Sequence, residues 1–281
     1  MVFFNIGEMM ADISWRRKPV VAGAFYPGIA AQLRHSVENF LTREREMLSP
    51  RLLLVPHAGY IYSGATAGRS FACSELPKRI FVLGPNHTGM GAGISVWPEG
   101  SWMTPLGEVE IDADLAERLL SAGGPAESDR DAHLREHSIE VQLPFLQVRY
   151  ENVKIVPVCV GIHRLADLIN LGESLARACE GIERETAFVV SSDMNHYESA
   201  AVNRGKDDKA IAAMVELDPE KLYRTVVENE ISMCGVAPAV AALHAAKLLG
   251  SKNCELIDYT HSGMMTGDDS EVVSYAGVRA W

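Results

Sequence analysis

Six short runs in this chain are apolar along nearly their whole length: RLLLV (51–55), RIFVLG (79–84), VKIVPVCVG (153–161), AFVVSSD (187–193), CELIDYT (254–260) and EVVSYAGV (271–278). A strand with one wet face alternates apolar and polar residues, whereas a strand covered on both faces does not. These runs therefore read as buried strands. The segments between them carry helical periodicity instead. Leu33, Val37, Phe40 and Leu41 form one stripe, and Leu115, Leu119 and Leu120 form another, after Asp112 and before Gly123 and Gly124. Leu165, Leu168, Ile169, Leu175 and Cys179 form a third. Asp218 and Pro219 read as an N-cap and first helical position, and a last long helix is expected from about Gly235 to Leu249, stopping at Gly250. Strands alternating with helices imply an α/β fold: one domain, with a central parallel or mixed sheet and helices on both faces.

No repeat or linker divides the chain, so residues 17–281 read as a single domain. Residues 1–16 lack any period and read as a disordered N-terminal extension, with Met9 or Met10 as an alternative start. Hydrophobic residues at 47% and charged residues at 22% of 281 suit a folded globular chain. A net charge of −11 argues against a nucleic-acid partner and gives no attraction to anionic lipid. No apolar run approaches the roughly 18–20 residues that span a bilayer, and no basic segment precedes the apolar start. A cytoplasmic location is expected. The five cysteines (Cys73, Cys159, Cys179, Cys234, Cys254) are odd in number and contain no CxxC pair, which fits reduced thiols.

In parallel sheets ligands collect at the carboxyl ends of strands. Five histidines fall just after expected strands: His57, His87, His163, His196 and His261. Imidazole is the commonest side-chain metal ligand and the usual acid or base near neutral pH. Around His57 and His87 the order is strand, proline, histidine, glycine, in which proline stiffens the exit and glycine permits a sharp turn. The glycines after His87 match no phosphate-loop pattern. Asp193, three residues before His196, either supports an imidazole or, with Ser192, caps the next helix. Cys234 precedes a helix whose dipole would favour the thiolate, the form that binds metal. In the stretch 131–147, His133 and His137 would share a face only on a continuous helix, and Ser138 reads as a helix start that breaks it. His137 could still reach the site; Ile139, Leu143 and Leu146 read as core.

The blocks PHAGYIYSG (56–64), LGPNHTG (83–89), EHSIEVQLPFLQ (136–147), SSDMNHY (191–197) and ISMCG (231–235), with VAGAFYPG (21–28) ahead of them, resemble the Memo family. Its prokaryotic members are called AmmeMemoRadiSam system protein B. The resemblance implies a fold like that of the class III extradiol dioxygenases, whose non-haem iron is held by two histidines and a carboxylate. It implies that His57, His87 and Cys234 are metal ligands, the cysteine standing where the dioxygenases have a carboxylate. Asp193 and His196 would line the same pocket as catalytic residues, His196 as acid or base oriented by Asp193. His133, His163 and His261 receive no such assignment. The implied cofactor is a divalent metal ion, iron first and zinc or copper as alternatives, because two imidazoles and a thiolate suit all three.

Two functions follow from these residues and this resemblance. One is a metal-dependent redox enzyme acting on an unidentified small molecule. The other is a non-catalytic adaptor that uses a vestigial pocket to bind a peptide or partner protein. The family label also implies an association with a radical SAM protein.

Overall fold

The structure, a computed structural model, describes residues 15–281. The expected N-terminal extension and the alternative start at Met9 or Met10 lie outside them, except for Trp15 and Arg16. In chain order the strands are β1 (Arg16–Arg17), β2 (Leu52–Val55), β3 (Arg79–Pro85), β4 (Ile94–Val96), β5 (Ser101–Thr104), β6 (Gly107–Ile111), β7 (Glu127–Ser128), β8 (Lys154–Val160), β9 (Thr186–Ser191), β10 (His196–Glu198), β11 (Cys254–His261) and β12 (Val272–Ala280). The main helices are α1 (Ala30–Phe40), α2 (Tyr60–Ala72), α3 (Ala113–Leu120), α4 (Leu143–Arg149), α5 (Leu165–Ala178), α6 (Ala200–Val215), α7 (Pro219–Glu228), α8 (Val236–Leu248) and the single turn α9 (Gly263–Thr266).

All six apolar runs are strands of one mixed sheet, ordered β1-β5-β6-β8-β3-β9-β2-β12-β10, with β11 on the other side of β12. Its centre is parallel: β8 with β3, β3 with β9, and β9 with β2. β12 turns antiparallel against β2 and β11. Side chains alternate across the central strands, as the strand period requires. Leu53, Val55, Ile80, Val82, Ile155 and Val189 face one layer, made by α1, α2 and α4. Leu52, Leu54, Phe81, Leu83, Val156, Val158, Phe188 and Val190 face the other, made by α3, α5, α6, α7 and α8. Both faces are therefore dry, which is why these strands carry no polar alternation.

The helix signals read at Asp112 and Asp218 hold, whereas Ser138 lies in a turn and the helix after it begins only at Leu143. Asp112 and Asp218 accept the backbone N–H groups of Leu115 and Lys221, capping α3 and α7. α2 and α6 carry no clear apolar stripe in the sequence. In α2 the small residues serve a close crossing: a Cβ on Gly64 would stand 2.6 Å from the Phe40 ring, and Gly68 lies against the Phe40 backbone. His133 and His137 do not share a helix; His133 ends a short 3-10 turn, and another such turn (Glu140–Gln142) leads into α4. Ile139, Leu143 and Leu146 are buried as expected.

Candidate metal centre

Because β2, β9 and β3 are adjacent and parallel, their carboxyl ends open on one rim. The rim receives His57 after β2, His87 after β3, and Asp193 after β9. Cys234 arrives from the segment ahead of α8. That segment lies so close to β9 that a Cβ on Gly235 would stand 2.7 Å from the Ser191 carbonyl oxygen. Only glycine fits there. The Gly235 N–H donates to Ser192 Oγ at 3.0 Å, closing the contact.

The hydrogen bonds around His57 decide its tautomer. Ser191 Oγ donates its one proton to the Ser138 carbonyl (2.6 Å) and accepts from Gln142 Nε2 (2.8 Å). The contact between Ser191 Oγ and His57 Nδ1, 3.0 Å, must therefore have the ring nitrogen as donor. His57 Nε2 is left with its lone pair, 3.2 Å from Cys234 Sγ. Burial, with the His87 charge beside it, pushes the His57 ring down to about 3, so it is neutral and able to ligate at ordinary pH.

His87 is held differently. Its Nδ1 lies 2.9 Å from Glu136 Oε1, and a carboxylate can only accept. Burial opposes the charged ring, but the Glu136 hydrogen bond and charge outweigh it and raise the His87 value. When this ring is neutral its remaining proton sits on Nδ1, and Nε2 carries the lone pair. One ligand atom from each of His57, His87 and Cys234 lies within 4.8 Å of the others. Two imidazole lone pairs and one sulfur, with both outer ring nitrogens already bound, are a donor set that fits a divalent transition metal.

Asp193 lines the same cleft as His196. Its Oδ1 accepts the backbone N–H groups of His57 (2.7 Å) and Ala58 (3.3 Å), so it pins the exit of β2. Burial raises its carboxyl above the ordinary range, and the two N–H groups and the facing His196 ring pull against that shift. Neither Ser192 nor Asp193 caps the next helix; Ser199 does. His196 lines the cleft with a buried Nδ1 that has no partner among the described residues. Its backbone N–H donates to Ser232 Oγ. At Cys234 burial, followed by the Asp193 charge, pushes the thiol well above its usual range. The expected helix-dipole effect is outweighed, and a neighbouring cation would be needed to expose the thiolate.

The cleft has a volume of about 530 Å³ and is lined by His57, His87, His137 and His196 with the aromatic walls Phe25, Tyr62 and Tyr275. His137 stacks on His87, ring centroids 4.8 Å apart at 20°, and burial followed by His57 pushes it down to about 4. It does reach the site. Glu136 was missed as a site residue: the glutamate that opens EHSI looks like a solvated charge, yet its side chain is 1% exposed. A carboxylate inside a block of buried apolar residues is the signal that could have marked it. His133 is buried against Trp97 and Trp102, and His163 is exposed with its carbonyl bound by Tyr223. His261 sits at the end of β11 with Nδ1 3.7 Å from Asp269.

A family model described as Memo-like protein matches residues 17–279. A MEMO1 family protein of Aquifex aeolicus is 44% identical over 265 residues, covering 93% of this chain and 98% of its own. A MEMO1 family protein of Methanopyrus kandleri is 39% identical over 279 residues, covering 93% and 98%. In fold the chain is similar to an uncharacterized protein from Escherichia coli K12, with a TM-score of 0.51 at 14% identity, covering 80% of this chain and 98% of that one. No helix among the described residues is long and apolar enough to cross a membrane. With the matched region running from the first strand to the last and two thirds of each relative exceeded, the chain belongs to the Memo-like protein family.

Proposed function

We propose that the protein is a metal-dependent redox enzyme that binds iron or a chemically similar ion through His57, His87 and Cys234 and acts on a small organic molecule in the cleft. The observation that carries this reading is the preset tautomer pair: both histidines have their Nδ1 occupied, and His57 presents its Nε2 lone pair 3.2 Å from the Cys234 sulfur. A purely structural pocket has no need to orient two lone pairs beside a thiol. The resemblance to the class III extradiol dioxygenases implies a metal at this place, but a sulfur ligand is softer than their carboxylate and broadens the metals that fit.

Bound there, the ion supplies Lewis-acid and one-electron redox chemistry. The chain's own residues do the rest. Asp193 fixes the His57 backbone, and Phe25, Tyr62 and Tyr275 form walls that exclude water from one side of a substrate. His196, whose ring lines the cleft, is the group placed to take or give a proton.

Elemental analysis of untagged protein, beside a His57→Ala, His87→Ala double variant, tests the reading. Near-stoichiometric iron or copper is expected in the native chain and loss of it in the variant; zinc alone, which has no redox chemistry, overturns the redox assignment. Equal metal content in both overturns it and leaves the adaptor reading, in which the cleft captures a peptide.

A further inference from the structure

The two candidate histidine ligands are held from behind by chemically different groups. His57 Nδ1 meets a neutral hydroxyl, Ser191, whereas His87 Nδ1 meets the buried carboxylate of Glu136. Glu136 also accepts the backbone N–H of His87 at 2.6 Å, and those of His137 and Ser138 at 2.9 Å each. His87 and the carboxylate that holds it are 49 residues apart in the chain. The approach is built into β3: a Cβ on Gly84 would stand 3.0 Å from Ile139 Cγ1 and clash with the Ser138 hydroxyl. A side chain at position 84 would therefore push the carboxylate away from His87.

Resting on the metal-centre reading above, we propose that Glu136 is a positioning residue for His87. It locks the ring with its proton on Nδ1, so that Nε2 alone faces a metal, and it makes this imidazole the more electron-rich of the two. A backbone clamp would need only the three N–H contacts, and a neutral amide could share in them. The contact to Nδ1 adds the chemistry. An anion hydrogen-bonded to the far nitrogen of an imidazole strengthens its donation to a metal, and loss of such a partner typically weakens metal affinity about 10–100-fold.

Nitrogen-15 NMR of the histidine side chains in the metal-free native chain, at a pH where His87 is neutral, tests the tautomer without any metal. The proton is expected on Nδ1; a neutral His87 ring protonated on Nε2 overturns the proposal. Titration with Co²⁺ tests the consequence. Glu136→Gln is expected to weaken binding about 10–100-fold. Undiminished Co²⁺ binding in Glu136→Gln overturns the proposal. Should that variant fail to fold, Glu136→Asp keeps the charge but not the reach to Nδ1, and the same weakening is expected, with undiminished binding again overturning it. A native chain that binds no Co²⁺ sinks the metal-centre reading instead, and the NMR result still decides the role of Glu136.

Discussion

His57 Nε2 stands 3.2 Å from Cys234 Sγ, although 177 residues separate them in the chain. Burial holds the imidazole neutral and the thiol protonated. Metal binding must then displace the thiol proton, while His57 has none to lose. Between the pH at which His87 has lost its own proton and the raised thiol value, affinity is expected to tighten about tenfold per pH unit for the one proton that Cys234 releases. Co²⁺ titrations between neutral and mildly alkaline pH measure this slope. In Cys234→Ser the slope flattens and the near-ultraviolet sulfur-to-cobalt absorption disappears; a native-like slope in that variant would rule out the thiol as a ligand.

His133 makes stability fall in acid. Its Nε2 meets the Ser95 carbonyl at 3.2 Å, its Nδ1 has no partner among the described residues, and two indoles surround it. Burial, then the Arg17 charge, push it from 6.5 down to about 3. Above 6.5 both folded and unfolded chains carry a neutral ring. Below it the unfolded chain takes up the proton first, so this group removes about 2 kcal/mol by pH 5, and the loss grows as pH falls towards 3. Urea denaturation at pH 5 and pH 7.5 should show a smaller difference for His133→Gln than for the native chain.

Arg17 and Glu140 form an ion pair at 2.6 Å, with side chains 1% and 0% exposed. Glu140 also accepts from Val20 N, Val21 N and the Tyr26 hydroxyl, and Arg17 donates to the carbonyls of His133 and Glu136. Removing one member leaves an uncompensated buried charge, a loss of about 3–5 kcal/mol. Glu140→Ala is expected to lose that much in chemical denaturation. Arg17→Met combined with Glu140→Leu should lose less than Glu140→Ala alone, because no charge is left stranded.

Asn195 ties the two halves of the site together. Its side-chain oxygen accepts from Ser232 N and Oγ, and its side-chain nitrogen donates to Asn203 and Glu198. One residue thus joins the loop bearing Asp193 and His196 to the segment bearing Cys234. Asn195→Ala leaves these partners unpaired at a cost of about 1–3 kcal/mol. It is expected to lower the melting temperature and also to weaken Co²⁺ binding; a change in melting temperature with native metal affinity would show that the two loops are positioned independently.

Much of the architecture was written locally. The six apolar runs became strands because two dry faces demand unbroken hydrophobicity, and Asp112 and Asp218 became caps because a side-chain oxygen there reaches the first free N–H groups. The short strands β4, β5, β7 and β10 carried no such mark, since strands of two to four residues are held by the partners they pair with. Helix α2 was obscured for a related reason: its glycines answer to Phe40 on α1, a neighbour its own sequence does not contain.

The same division holds at the site. By itself the sequence determined that His57, His87 and Asp193 leave strands that can lie side by side, and that Cys234 comes just before a helix, because periodicity and turn chemistry act over a few residues. Tertiary structure alone decided the pairing of strands, the burial of Glu136 beneath His87, and the reversal of the expected ease of ionising Cys234. Those depend on desolvation and on donors brought from distant segments. Such energies exist only once the chain has closed around them.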